Sequence, residues 1–134
     1  MNKELIKLLF VSCLSYGLDI LTSKDRYNKC INIKAQLLLF FHHIFISYLN
    51  FGAFFMEDKK LLLGIIIGII LTNIHWSTND NKCILTQEFN SMCEITGGLR
   101  SITDLLGIKS GPNRIYQKIY MVLIMIICIK KIYL

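Results

Sequence analysis

Between Ala35 and Phe55 the chain runs for 21 residues without an Asp, Glu, Lys or Arg. The hydrocarbon core of a bilayer is crossed by about 20 predominantly apolar residues in helical form. In lipid every backbone polar group must find its partner within the protein, so a lone segment of this kind can only be a helix. A second uncharged run, Leu61–Trp76, covers 16 residues. The connection Met56–Lys60 is too tight to let the two run anywhere but side by side and antiparallel. Two further apolar runs, about 4–22 and about 116–129, complete four predicted spans. The last has an uncharged core of only 11 residues, Ile119–Ile129, with Lys118, Lys130 and Lys131 placed to snorkel. The expected fold is therefore all-α: one integral membrane bundle of about four transmembrane helices, with a partly helical 77–115 loop outside it.

Charge distribution supports this reading. The chain is 134 residues long, 54% hydrophobic, and carries a net charge of +6. Its charges cluster in 23–34, 56–60, 79–118 and Lys130-Lys131, between the apolar runs. Nucleic-acid binding is excluded as an expectation, because that function needs a basic stripe on one soluble element. Tyr27, Trp76, Tyr116, Tyr120 and Tyr133 lie near span ends, as an interfacial aromatic belt does. Short loops weigh most in setting orientation, and the 23–34 linker carries four basic residues. This points to the two larger loops being cytoplasmic. The first run lacks a small-residue cleavage site and contains Asp19, so it reads as an uncleaved span.

The 77–115 loop has room for structure of its own. Thr86 is a start signal for a short helix to about Ile95, with Gly97-Gly98 as its stop. Leu99, Ile102, Leu105 and Leu106 then recur at helical spacing before Gly107. The five cysteines, Cys13, Cys30, Cys83, Cys93 and Cys128, contain no C-x-x-C pair. An odd count argues against a complete disulfide framework. Cys83 and Cys93 share the loop and are candidates to pair in an oxidising compartment.

At about 100° per residue, Gln36, His43, Ser47 and Asn50 share one face of the second span, and His42 points away from it. On the first span Ser12, Tyr16, Asp19 and Ser23 share a face, with Ser15 at its edge. Gly64-x-x-x-Gly68 on the third span, with Gly52 on the second, is a small-residue pattern that lets membrane helices approach closely. The same pattern is available for a homo-oligomer. Depth counting about the 56–60 turn brings Asp19, His43 and His75 toward one leaflet. Two imidazoles and a carboxylate can ligate zinc or iron, relay a proton, or hydrogen-bond between helices. The third use is the expected one, and no cofactor is expected over a metal or haem at Asp19, His43 and His75. Cys83 and Cys93 have His75 and acidic residues near them in sequence, but sequence proximity does not make a nucleophile, and no catalytic residue is assigned.

The ordered set His42-His43, Gly52, His75-Trp76, Cys83-Ile84-Leu85-Thr86 and Asn90 resembles small multi-span membrane proteins of large DNA viruses, algae and protists. More distantly it is similar to a bacterial membrane family of unknown function. The resemblance covers about residues 38–95 and implies architecture, with Trp76, Cys83, Thr86 and Asn90 as a loop motif. The resulting expectation is a membrane protein with a structural or interaction role, in a viral or virus-modified membrane. The rivals are a metal, haem or redox protein, and a small transporter or proton path.

Overall fold

The computed structural model describes residues 3–23, 30, 32–96 and 115–134. Among these the chain is entirely helical, in the order α1 (Lys3–Thr22), α2 (Ile33–Phe55), α3 (Lys59–Thr78), α4 (Ile84–Cys93) and α5 (Ile115–Tyr133). Three of them, α1, α2 and α3, are long and apolar enough to cross a membrane. The fourth expected span also forms a helix, but its 19 residues carry Lys118, Lys130 and Lys131. The described fold is thus an all-α bundle with three helices of membrane-crossing length and character.

The helix ends follow local chemistry. Asn32 caps α2 by accepting from the Lys34 N–H at 2.9 Å. Asp58 caps α3 by accepting from the Lys60 and Leu61 N–H groups at 2.8 and 3.1 Å. Each side-chain oxygen satisfies donors that a helix start leaves without an intrahelical partner. The short α4 begins at Ile84, two residues before the expected Thr86, and ends at Cys93 rather than Ile95. Glu94 stops it in the left-handed conformation at φ 52°, and the Glu94 and Ile95 N–H groups both donate to the Asn90 carbonyl. The stop therefore precedes Gly97-Gly98, which with the expected segment 99–106 lies outside the described residues.

Among the described residues α2 is the hub. It packs against α1, α3, α4 and α5; α3 also packs against α5, and α1 meets no helix but α2. Glu4 accepts from the Glu57 N–H at 3.1 Å and the Lys131 ammonium donates to the Met56 carbonyl at 3.1 Å. The start of α1, the α2–α3 turn and the end of α5 thus share one end of the bundle, as an alternating up-and-down course requires. The opposite end carries Cys30 and α4, which we call the cap. One apolar core joins α2, α3 and α5 through Leu49, Ala53, Leu62, Ile65, Ile69, Met121 and Ile124, and includes Leu8 of α1. A second sits under the cap, with Ala35 and Leu39 against Phe89.

The glycines act where α2 meets α3. A Cβ on Gly64 would stand 2.6 Å from the Tyr48 hydroxyl, one on Gly68 2.7 Å from Leu49, and one on Gly52 2.8 Å from Ile65. Tyr48 lies across Gly64 and donates to the Leu61 carbonyl at 2.5 Å. The close approach that the glycine spacing predicts is therefore made within one chain.

The cysteine pairing differs from expectation. Cys93 is bonded to Cys30, 63 residues away, and Cys13, Cys83 and Cys128 are free. The reason is placement: Cys83 stands at the start of α4 and Cys93 in its last turn. One helix about 15 Å long holds them apart. A disulfide joining the two larger loops belongs in an oxidising compartment, which runs against the cytoplasmic placement suggested by their basic residues. We expect the mobility difference between reduced and unreduced protein on a denaturing gel to vanish in Cys30→Ser and in Cys93→Ser, and to persist in Cys83→Ser.

Candidate functional site

The polar faces of α1 and α2 meet. Asp19, Ser15 and Ser12 on α1 lie on the buried side at 0%, 2% and 0% exposure, and His43 on α2 is 1% exposed. His43 Nε2 stands 3.1 Å from Asp19 Oδ2, and its Nδ1 stands 2.9 Å from Ser15 Oγ. A carboxylate accepts only, so Nε2–H donates to Asp19; Nδ1 of a neutral ring then accepts from the Ser15 hydroxyl. Ser23 extends the chain by donating to Asp19 Oδ1 at 3.3 Å. Beside it, Tyr16 donates to Gln36 Oε1 at 3.1 Å, and Gln36 donates to the Cys30 carbonyl at 3.1 Å. The Tyr16 ring stands edge-on to His43, with centroids 5.9 Å apart. α1, α2 and the disulfide segment are thereby stitched into one polar seam.

His75 is not part of it. It lies on α3, which does not touch α1, and its Nε2 accepts the Ile84 N–H at 3.1 Å. Cys83, the residue in the N-cap position of α4, offers no side-chain cap. His75 supplies it from the neighbouring helix instead. Of the expected trio, then, Asp19 and His43 meet and His75 stands apart as a cap ligand. Among the described residues no group of three or more His, Cys, Asp or Glu side chains is placed to hold a metal ion.

Three features lay outside the sequence reading. Ser15, placed only at the edge of the α1 face, is a direct partner of His43. His42, read as pointing away from the polar stripe, is buried as well, at 7% exposure, and its Nδ1 has no hydrogen-bond partner. A helix packed by four neighbours has no single inward face, so one stripe on a helical wheel understates what is buried. The third is the cap bond from His75. Of the loop motif, Trp76 belongs to the α2–α3–α5 core, Thr86 and Asn90 lie half-buried on α4, and the Asn90 carbonyl ends that helix.

Serine, histidine and aspartate in one chain of hydrogen bonds have the composition of a nucleophilic triad. The setting is wrong for acyl transfer. Ser15 is 2% exposed in the body of α1. Its own N–H is committed to the helix and cannot serve as an oxyanion donor. What the seam can do is fix two helices together, or pass a proton along Ser23, Asp19, His43 and Ser15. Searches of protein-family models, curated proteins and solved structures found no match to this chain.

Proposed function

We propose that the protein has a structural or interaction role within a membrane, in which the seam locks α1 to α2 and the disulfide-held α4 caps one end. The observation that carries this reading is the complete use of His43: both ring nitrogens are bonded to side chains of α1, at a site 1% exposed. A ring so engaged has no lone pair left for a metal. The ordered set from His42-His43 to Asn90 supports a viral or virus-modified membrane as its setting. A proton path is the second reading, favoured by the unbroken run of polar atoms from Ser23 to Ser15.

Elemental analysis and a visible spectrum of detergent-purified protein test the proposal, with a His43→Ala, His75→Ala variant alongside. We expect no stoichiometric iron, zinc or haem in either protein, and a lower folded yield for the variant. Metal or haem at about one per chain, lost in the variant, would overturn the reading. So would a proton flux across liposomes that His43→Phe abolishes.

A further inference from the structure

Under the cap, on the side away from the seam, α2, α3 and the start of α4 enclose an open groove of about 220 Å³. Phe45, Ile46, Leu71, Ile84 and Leu85 make its walls almost wholly apolar, and Thr72, His75, Trp76 and Cys83 complete the lining. It is smaller than the cavities of about 300–1,000 Å³ that take drug-sized ligands, so it suits something slender. It also opens onto the membrane-facing surface. Leu71 is 59% exposed and Ile84 51%, and Ile67, Ile70 and Ile74 continue that surface along α3.

The groove is polarised along the bundle axis. Its cap end holds His75, and the apolar walls at Leu71 and Phe45 lie deeper. His75 Nε2 is occupied by the Ile84 N–H, so in the neutral ring the proton sits on Nδ1, which remains a donor. A slender occupant entering from the bilayer is therefore offered one hydrogen-bond donor near the interface and hydrocarbon below.

We propose that this groove binds one acyl chain of a bilayer glycerophospholipid, with the chain along Phe45, Ile46 and Leu71 and its ester carbonyl accepting from His75 Nδ1–H. Continuity with the exposed apolar surface of α3 selects lipid over a soluble ligand. The position of the donor selects an ester-linked chain over plain hydrocarbon. The inference rests on the chain lying in a bilayer, which alkaline extraction of membranes reads independently of groove occupancy.

Trp76 is the sole tryptophan, lines the groove, and is 9% exposed. Its emission therefore reports occupancy directly. Full-length protein in detergent is titrated with a phosphatidylcholine brominated on one acyl chain. The expected result is a saturating loss of most Trp76 emission, reversed by unbrominated phosphatidylcholine. Thr72→Phe fills the groove and should abolish the saturating phase; Leu71→Phe, at the exposed rim, should weaken it if Thr72→Phe does not fold. Quenching of wild type that rises in proportion to micelle lipid content without saturating would overturn the proposal. A saturating phase unchanged in a folded Thr72→Phe protein would also overturn it, as would quenching by a brominated free fatty acid at lower concentration than by the phospholipid.

Discussion

Asp19→Ala is expected to lower stability by about 2 kcal/mol, within the cost of leaving a buried polar donor without its partner. The loss arises because the Nε2–H of His43, a residue 1% exposed and bonded to Asp19 Oδ2, is left without its acceptor. A buried polar atom without a partner costs its full desolvation. The cost is not larger because Asp19 stands one turn from the end of α1, where water can reach a relaxed site. His43→Leu should cost a comparable amount. The combination Asp19→Ala, His43→Leu should cost less than the sum, since both polar groups leave together. Unfolding of detergent-solubilised protein by dodecyl sulfate, run on the four corners of this cycle, measures the coupling. Strict additivity would mean that the seam contributes nothing as a unit. The contrast matters because interhelical hydrogen bonds in membranes average only about 0.6 kcal/mol; a larger coupling marks the pair as a specific lock.

Gly64→Ala is the second. The added methyl would stand 2.6 Å from the Tyr48 hydroxyl and 3.8 Å from its Cζ. Almost the whole clash is thus with one oxygen, which is itself held by the Leu61 carbonyl. Either α2 moves off α3 or Tyr48 gives up that bond. A cost of about 2–3 kcal/mol is expected, within the range for overpacking a close contact. The same substitution in a Tyr48→Phe background should cost far less, because the opposing oxygen is gone. Gly64→Leu leaves no such escape and should abolish folded yield. If Tyr48→Phe gives no relief, Gly64 is packing against something other than α2 of its own chain.

Much of the architecture is legible in the sequence because lipid leaves few choices. An uncharged run of sufficient length must become a helix, and the 56–60 turn fixes the antiparallel pairing of α2 with α3. Asp19 and His43 are found by the same logic, since polar residues in apolar helices turn toward one another. The Cys30–Cys93 bond is not legible, because disulfide connectivity depends on the path of the intervening chain. Nor is the role of His75. A helix start lacking a side-chain cap at Cys83 is visible in sequence, but the acceptor that answers it lies on another helix, across the turn 79–83. His42 fails for a different reason: a wheel assumes one neighbour, and α2 has four.

Because α1 touches no described helix but α2, the first 55 residues contain a complete helix pair with its own polar lock. During synthesis that pair can close before α3 leaves the ribosome. The helices that follow then dock onto a surface already formed, and each of them meets α2. Cys30 must wait until residue 93 has been made before its partner exists. The covalent link therefore comes after the α1–α2 pair can close: it registers that α4 has arrived in place rather than guiding that first pairing.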